Sequence, residues 1–184
     1  MRITGGESRG RVIAGPEGLE LRPTGSKVRQ AFFNILQNKL KGSSFLDVCA
    51  GTGLMGIEAL SRGAGRLISI EENRKIAKNI EANLKHLGYD AEVIAGDLRR
   101  VLPILEPRGF DIVYADPPYK MGLSEPILEL VEKHNLLADE GILVIEHLRS
   151  LQPPDVCGRL LRSSLRHYGQ TSLSFYSESS NESV

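Results

Sequence analysis

The most constraining feature of this sequence is a regular alternation between short apolar runs and longer segments in which apolar residues recur every three or four positions. The runs with the length and composition of buried strands span residues 44–49, 66–70, 91–95, 110–115 and 141–146. The segments with helical spacing span residues 51–62, 73–87, 98–105 and 126–135. Strands that alternate with helices favour a doubly wound, mostly parallel sheet, because a crossover helix is the usual connection between parallel strands. The sequence therefore predicts an α/β fold.

The carboxyl-terminal segment predicts an antiparallel addition to this sheet. Residues 160–167 and 171–176 are strand-like, and Gly169 between them suits a tight turn. Such a hairpin would place an antiparallel last strand beside the parallel ones. Residues 178–184 are polar, and we expect them to form a flexible tail.

The amino-terminal segment differs in composition from the rest of the chain. Residues 2–21 contain five glycines between two β-prone pieces, which predicts a small hairpin. Residues 27–40 have helical spacing. We therefore divide the chain into an amino-terminal extension at 1–41, made of a hairpin and a helix, and a sheet domain at 42–177.

The net charge of zero conceals an asymmetry. Residues 1–41 contain eight Lys or Arg and three Glu, a net charge of +5, which leaves −5 on the remaining chain. A basic extension on a mildly acidic body suggests contact with a polyanion, although a solvated basic face has the same composition. The apolar strand pattern begins only at Ser44, so we expect the sheet to stay folded when residues 1–21 are removed.

Length and composition argue against several other classes of protein. A chain of 184 residues is long enough for one domain with a sizeable core. No apolar run approaches the roughly 20 residues of a membrane span, and the first residues lack the apolar stretch of a secretory signal. The two cysteines, Cys49 and Cys157, form neither a disulfide framework nor a metal-binding pattern, so we expect no metal site. We expect a cytoplasmic monomer with reduced thiols.

Ligands of doubly wound sheets bind beyond the carboxyl ends of the strands, and the first of these ends carries an acid and a glycine turn. The turn is formed by Ala50, Gly51, Thr52 and Gly53. Residues 51–56 match the pattern G-x-G-x-x-G, which is a weak signal because any tight turn can use glycine. The strand before the turn contains Asp47. An acid inside an apolar strand is costly without a partner and would repel phosphates, so Asp47 favours a cationic ligand over a dinucleotide.

Acids also follow the next two predicted strands. The groups after the second strand are Glu71, Glu72 and Asn73. The groups after the third strand are Gly96, Asp97 and Leu98. Glu71 lies 20 residues after Gly51, a separation typical of an acid that accepts hydrogen bonds from a ribose diol, although solvated acids that cap a helix would also fit. Asp97 can accept from an adenine amino group, cap the following helix, or do both.

The fourth strand end is the run Asp116-Pro117-Pro118-Tyr119. Proline has a fixed φ and no N–H, so two prolines end the strand and stiffen the segment that follows. A plain turn more often uses Gly or Asn. The run therefore predicts a rigid corner that presents a carboxylate, carbonyl oxygens and an aromatic ring.

Together these motifs resemble those of a known enzyme class. An acid four residues before a G-x-G turn, acids after the second and third strands and D-P-P-Y after the fourth resemble the class I S-adenosylmethionine-dependent methyltransferases, and D-P-P-Y is similar to the corner of those that act on exocyclic or amide nitrogens. The extension narrows the resemblance. M-R-I-T-G-G at 1–6, R-G-R at 9–11, L-R-P-T at 21–24 and V-R-Q-A-F-F-N-I-L at 28–36 resemble the bacterial 16S rRNA guanine-N2 methyltransferases. One departure is G-S-K at 25–27, where that family usually has a more polar run.

The resemblance covers nearly the whole chain and carries definite expectations. It implies a seven-stranded Rossmann-like methyltransferase sheet, S-adenosylmethionine as the cofactor, and 16S rRNA within a small-subunit particle as the partner. It implies that the groups at the first three strand ends bind the cofactor and that the D-P-P-Y corner is catalytic. It also implies RNA binding by Arg9, Arg11, Arg22, Thr24, Lys27 and Arg29. Whether the substrate is naked RNA or an assembly intermediate stays open.

The chemistry of guanine N2 gives the corner a purpose. This nitrogen is a weak nucleophile because its lone pair is delocalised into the ring. Asp116 and the carbonyl of Pro117 are acceptors that favour a more pyramidal nitrogen, and the step from Pro117 to Pro118 holds them in place. Tyr119 supplies a face for the base, which must leave its own stack. The proton of the product passes to Asp116 or to water. His147, on the same edge, is expected to be structural.

Three alternatives remain at this stage. An adenine-N6 or protein glutamine methyltransferase would share the sheet and the corner. A nicotinamide-dependent dehydrogenase fits the glycine pattern but leaves Asp47 and the corner without roles. A non-catalytic RNA-binding module would use the basic extension but does not need motifs at four strand ends.

Overall fold

A computed structural model of the protein describes residues 1–16 and 25–179. The strands are β1 (Ser44–Val48), β2 (Arg66–Glu71), β3 (Glu92–Ala95), β4 (Phe110–Ala115), β5 (Leu137–Leu148), β6 (Val156–Cys157), β7 (Leu160–Tyr168) and β8 (Thr171–Glu178). The helices are α1 (Ser26–Ile35), α2 (Gln37–Leu40), α3 (Leu54–Ser61), α4 (Arg74–Leu87), α5 (Leu98–Val101) and α6 (Ser124–Lys133), with 3₁₀ turns at Leu102–Ile104 and Tyr119–Met121. None of the helices in these two ranges is both long and apolar enough to cross a lipid bilayer.

The described strands form one mixed sheet in the order β3-β2-β1-β4-β5-β8-β7-β6. β1 to β5 pair in parallel, β8 is antiparallel to β5, and β7 is antiparallel to β8. The predicted doubly wound sheet with an antiparallel last strand is therefore confirmed. The sheet has eight strands rather than the expected seven, because Val156–Cys157 adds a two-residue edge beside β7. The chain order reverses between β1 and β4, and this switch point is where such sheets bind ligands.

Both faces of the sheet are buried at its centre. Along β4, Ile112 and Tyr114 belong to the core that includes the apolar residues of α1, α3 and α4. Val113 and Ala115 point the opposite way, into the core that includes apolar residues of α5 and α6. Burial on two faces explains why this strand is a continuous apolar run rather than an alternating one.

The amino-terminal residues are part of the core rather than a detachable arm. Arg2 and Val12 form an antiparallel bridge, which is a short version of the predicted hairpin. Ile3 and Ile13 are each 1% exposed and pack in the same core cluster as α1 and α3. The expectation that the sheet would fold without residues 1–21 does not fit this packing, since their removal would uncover part of the core.

A buried carboxylate ties the extension to the sheet domain. Glu58 on α3 is fully buried. It accepts hydrogen bonds from the N–H of Thr4 at 3.1 Å and from its hydroxyl at 2.6 Å. Arg29 on α1 donates to the same carboxylate at 2.8 Å, and Arg62 donates at 2.7 Å. One acid therefore joins the amino-terminal segment, α1 and α3.

The carboxyl-terminal boundary lies later than predicted. β8 continues through Glu178, and the N–H of Ser179 donates to the carbonyl of Arg159 at 3.0 Å. Residues 178 and 179 are therefore ordered parts of the sheet edge instead of the start of a tail. The rest of the predicted tail, 180–184, lies outside the described residues.

Candidate active site

The structure brings the predicted strand ends together along one edge of the sheet. In the parallel register, Val48 pairs with Ile70 on one side and with Ala115 on the other. Glu71 pairs with Ala95, the last residue of β3. The loops that follow β3, β2, β1 and β4 are therefore neighbours, in that order, at the carboxyl edge.

The turn after β1 has a tightly constrained backbone. Cys49, Gly51 and Gly53 all have positive φ, of 61°, 54° and 72°. The N–H of Ala50 donates to the carbonyl of Ile70 at 2.9 Å, which fixes the turn to β2. A Cβ on Gly53 would lie 2.8 Å from the side chain of Ile80 on α4. Glycine is required here by both the backbone conformation and the close approach of α4.

The buried acid of β1 has a backbone partner. Asp47 is 1% exposed, and its Oδ2 accepts the N–H of Gly56 in α3 at 3.0 Å. Burial raises the pKa of this carboxyl to about 7, the bond from Gly56 opposes that rise, and the charge of Glu71 adds to it. The N–H of Gly56 therefore offsets part of the free-energy cost of burying the Asp47 carboxylate, for which the sequence analysis expected a cationic ligand. The raised pKa shows that the ionised form is still under-stabilised, and a cation would stabilise it.

Glu71 connects its own strand end to the glycine turn. Its Oε2 accepts the N–H of Gly51 at 2.8 Å, and its Oε1 accepts the N–H of Asn73 at 2.8 Å. Asn73 in turn caps α4 by accepting from the N–H of Lys75 at 2.9 Å. Glu72 beside it is exposed. A carboxylate oxygen has more than one acceptor direction, so Glu71 can still receive hydroxyl groups of a ligand.

The third strand end supplies a second capped helix. Asp97 Oδ1 accepts the N–H of Arg99 at 2.8 Å, so the predicted capping role of Asp97 is confirmed. The N–H of Gly96 donates to the carbonyl of Glu71 at 3.1 Å and keeps this loop against β2. Leu98 is buried below it. Asp97 itself is half-buried and lies in the loop after β3, at the same edge as the other acids.

Several acids at this edge together raise the pKa of the Cys49 thiol. The pKa of the Cys49 thiol is raised to about 12, first by burial and then by the carboxylates of Glu71, Asp47, Asp116 and Glu72. Four carboxylates close enough to shift one thiol create a strongly negative field. Such a field suits a ligand with a sulfonium and an ammonium cation, and it opposes the diphosphate of a dinucleotide. The residues present therefore fit S-adenosylmethionine.

The D-P-P-Y corner follows β4 directly. The backbone N–H of Asp116 donates to the carbonyl of Val48 at 3.4 Å, which holds the corner beside the glycine turn. Asp116 and Tyr119 are half-buried, Pro117 is buried and Pro118 is exposed. A carboxylate and an aromatic ring therefore border the same edge as the cluster of acids.

Sequence reasoning missed a further acid at this corner. Glu146 near the end of β5 is 3% exposed, and its carboxylate accepts from Tyr114 Oη at 2.6 Å and from Tyr119 Oη at 3.2 Å. The available signal was a lone acid after four apolar residues in a buried strand. Its neighbour His147 is buried and bonds to Ser174 Oγ at 2.8 Å, as expected of a structural residue.

The predicted RNA-binding residues have different surroundings. Arg9 and Lys27 are exposed. Arg11 is exposed as well, but its guanidinium donates to the carbonyls of His86 and Leu87 at the end of α4, at 3.1 and 3.4 Å.

Arg29 does not fit the predicted contact with phosphate. Its side chain is 4% exposed, and it is paired with Glu58 because that buried carboxylate needs a cation nearby. The remaining two predicted residues, Arg22 and Thr24, lie outside the described residues.

Known proteins with similar sequences and structures identify the family and the type of sheet. The chain is 34% identical over 180 residues to the Bacillus subtilis protein named "Putative rRNA methyltransferase YlbH", covering 96% of this chain and 98% of the relative. It is 37% identical over 152 residues to the ribosomal RNA small subunit methyltransferase D of Escherichia coli, covering 79% of this chain and 74% of the relative. The solved structure of a protein titled "Putative methyltransferase yhhF from Escherichia coli" matches with a TM-score of 0.86 at 33% identity over 97% of each chain.

These matches confirm the resemblance to the bacterial rRNA methyltransferases and the methyltransferase type of sheet. A family model described as conserved hypothetical protein 95 matches residues 1–177, which is almost the whole chain. The chain therefore belongs to the conserved hypothetical protein 95 family.

Proposed function

We propose that this protein transfers a methyl group from S-adenosylmethionine to the exocyclic N2 of a guanine in 16S rRNA. The observation that carries the proposal is the meeting of two features at one sheet edge. Four carboxylates lie close enough to Cys49 to raise the pKa of its thiol, and the D-P-P-Y corner is held beside the same turn by the hydrogen bond from Asp116 to Val48. The first feature suits a cationic methyl donor, and the second suits a planar base with an amino group. Relatives named as small-subunit rRNA methyltransferases favour rRNA as the source of that base.

The first three strand ends would hold the cofactor. S-adenosylmethionine, when bound, supplies a methyl group on a positively charged sulfur. Glu71 would accept hydrogen bonds from the ribose hydroxyls, and Asp97 from the adenine amino group. The backbone of Gly51 and Gly53 lets the chain approach the ligand closely. Asp47 adds negative charge below the turn, which favours a cation over a phosphate.

The corner would orient the target base. Asp116 Oδ and the Pro117 carbonyl accept hydrogen bonds from the guanine amino group, which aims its lone pair away from those acceptors. The ring of Tyr119 offers a stacking surface worth roughly 1–3 kcal/mol per base. Acceptors fixed by two prolines need little reorganisation during the reaction, so the stiffness of the corner is part of the catalytic device.

The charge distribution favours one face of the protein for RNA. Arg9 and Lys27 are exposed on the extension, and α4 adds four exposed basic residues at its surface, which are Arg74, Lys75, Lys78 and Lys85. On the other side of the sheet, α6 carries Glu125, Glu129 and Glu132, whose charges raise the pKa of Cys157 after the effect of burial. Phosphates would therefore be attracted to the α4 side and repelled from the α6 side. A ribosomal RNA would be met in the cytoplasm, as part of a small-subunit particle.

Labelled S-adenosylmethionine tests the substrate class. The protein is incubated with naked 16S rRNA, protein-bound small-subunit particles, DNA and total protein, and the label in each is counted. We expect label in rRNA, most of it in particles. Label in DNA or protein alone would refute the assignment, and stabilisation of the protein by NAD but not by S-adenosylhomocysteine would favour a dehydrogenase.

The variant Asp116→Ala tests the corner separately. It should reduce turnover by at least ~100-fold, as the loss of a transition-state acceptor does, while calorimetry shows nearly unchanged affinity for S-adenosylhomocysteine. Loss of cofactor affinity with an intact single-turnover rate would place Asp116 in the donor pocket and refute its proposed role.

A further inference from the structure

Glu146 occupies a position at the candidate active site for which the proposed reaction gives no direct role. Its carboxylate receives two tyrosine hydroxyls, Tyr114 Oη at 2.6 Å and Tyr119 Oη at 3.2 Å. Tyr114 lies two residues before Asp116 in the chain, and Tyr119 lies three residues after it. A single carboxylate from the neighbouring strand therefore contacts the corner on both of its sides.

One of these two contacts is a rigid anchor. Tyr114 is 1% exposed, and its ring packs edge-on against the ring of Phe32 with centroids 5.0 Å apart. A fully buried ring in an aromatic cluster cannot reorient without disturbing the core. Its short hydrogen bond therefore fixes the position of the Glu146 carboxylate.

The other contact reaches the residue whose orientation matters for the base. Tyr119 is half-buried and begins the short 3₁₀ turn after Pro118. The pKa of its hydroxyl is raised to about 12, first by burial and then by the charge of Glu146, so this hydroxyl stays a donor at neutral pH. A hydrogen bond to a carboxylate is stronger and more directional than one to a neutral group. The tilt of the Tyr119 ring is thereby tied to the core through Glu146.

We propose that Glu146 is a positioning residue, which holds Tyr119 and with it the D-P-P-Y corner in the orientation that the target base requires. This inference rests on the proposed methyl transfer to a base. Glu146 touches neither the base nor the methyl donor in this scheme, and it acts through the hydroxyl of Tyr119. A displacement of a reacting group by about 1 Å can cost two orders of magnitude in rate, so the loss of this contact should be visible in turnover.

The first test removes the contact from the tyrosine side. Tyr119→Phe keeps the stacking ring and deletes only the hydroxyl, with little risk to folding at a half-buried position. We expect kcat on rRNA to fall about 10- to 100-fold. We expect KM for RNA and the affinity for S-adenosylhomocysteine to change by less than about twofold, because phosphate contacts and the strand-end acids set them. An unchanged kcat would overturn the proposal.

A matched control and a double variant separate positioning from stability. Tyr176→Phe deletes the hydroxyl of another tyrosine, which lies in β8 and donates to the carbonyl of Pro154 at 2.8 Å. This variant should leave kcat unchanged. Glu146→Gln should act in the same direction as Tyr119→Phe. The double variant Tyr119→Phe/Glu146→Gln should lose less kcat than the product of the two single losses, because both single changes weaken the contact between Tyr119 and Glu146. Additive losses would overturn the proposal.

A spectroscopic readout keeps this test independent of the substrate. NMR signals of labelled tyrosine ring carbons report the hydrogen bond of each hydroxyl at neutral pH, and Tyr119→Phe identifies the signal of Tyr119. Glu146→Gln should shift the signals of both Tyr114 and Tyr119. If the wild-type protein methylates no guanine, the proposed function fails while this shift still tests the contact. An unshifted Tyr119 signal would refute the positioning role whatever the substrate is.

Discussion

Glu71 closes the glycine turn from the neighbouring strand, since its Oε2 accepts the backbone N–H of Gly51 at 2.8 Å across 20 residues of sequence. The separation of 20 residues between Gly51 and Glu71, from which a ribose-binding acid was predicted, therefore also places Glu71 where it supports the turn. Glu71→Ala should weaken S-adenosylmethionine binding by about 1–3 kcal/mol, because a ligand acceptor and the brace of the turn are lost together. Isothermal titration calorimetry measures the change.

The matched control for this variant is Glu92→Ala. Glu92 is an exposed acid at the first residue of β3, at the opposite end of that strand from the ligand edge. The Glu92→Ala protein should bind the cofactor with the affinity of the wild type. A folded Glu71→Ala protein with unchanged affinity would exclude Glu71 from the donor site.

The raised pKa of Asp47 predicts that cofactor binding releases a proton. Burial lifts this pKa from 3.8 to about 7, so the carboxyl is mostly protonated at pH 6 and mostly ionised at pH 8. A bound cation favours the ionised form and lowers the pKa. Affinity for S-adenosylmethionine should therefore rise with pH through this range and level off above it, as linkage requires.

Calorimetry in buffers with different ionisation enthalpies counts the released protons. Near pH 6.5 the wild type should release a measurable fraction of a proton on binding. Asp47→Asn keeps an oxygen for the N–H of Gly56 but cannot ionise, so this release should disappear. Equal proton release by the two proteins would show that another group titrates.

The close approach of α4 to the glycine turn predicts a stability difference between two glycines. Gly53→Ala and Gly88→Ala both force alanine into a left-handed backbone, with φ of 72° and 82°. Only the first also places a Cβ 2.8 Å from Ile80; around Gly88 the described residues leave the space open within 4 Å. Gly88→Ala should lower the free energy of unfolding by about 1 kcal/mol, and Gly53→Ala by about 1–3 kcal/mol more. Urea denaturation that gives equal losses would argue against the tight packing at Gly53.

Arg29 and Lys27 form a matched pair for separating folding from RNA binding. Arg29→Ala leaves the buried Glu58 without one of its cations and should lower the free energy of unfolding by about 3 kcal/mol, with no change in the salt dependence of RNA binding. Lys27→Ala, at an exposed position two residues earlier, should leave stability within about 0.5 kcal/mol. It should also reduce the salt slope of RNA affinity by about 1. The reverse pattern would restore Arg29 as the phosphate contact.

The same cluster predicts sensitivity to acid. Burial opposes ionisation of Glu58, but hydrogen bonds from Thr4 and Arg62 and the charge of Arg29 prevail, so its pKa lies below the ordinary 4.5. The resulting stabilisation is present above about pH 4.5 and is lost as the pH falls through the lower pKa of the folded state. In the Arg29→Ala protein, the free energy of unfolding should therefore fall less between pH 4.5 and lower pH than it does in the wild type.

Local chemistry explains which parts of the fold were predictable. The bounds of β4 agree with the prediction at both ends, because the apolar run ends at Ala115 and Pro117, two residues later, cannot continue a strand. The cap at Asp97 was predictable because the acid stands directly before a helical pattern. β6 could not be predicted, because a segment of two residues has no periodicity and becomes a strand only by pairing with β7.

The errors arise where the partner of a side chain is distant in sequence. Arg29 was assigned to RNA because the extension is basic, yet it shares a helix face with Phe32 and Phe33, three and four residues later. Its partner, Glu58, stands among buried apolar residues of α3 and signals a cation nearby. Glu146 had the same signal in β5. A lone acid in an apolar run therefore signals a buried partner for both Glu58 and Glu146, but the run does not reveal which residue that partner is.

The identity of the methylated atom tests the central claim most directly. Small-subunit particles are labelled with S-adenosylmethionine and the protein, the rRNA is digested to nucleosides, and the labelled nucleoside is identified by mass spectrometry against standards. A corner that accepts hydrogen bonds from an exocyclic amino group of guanine predicts N2-methylguanosine as the single labelled product. Label in N6-methyladenosine, or in a ring-nitrogen product, would contradict the account.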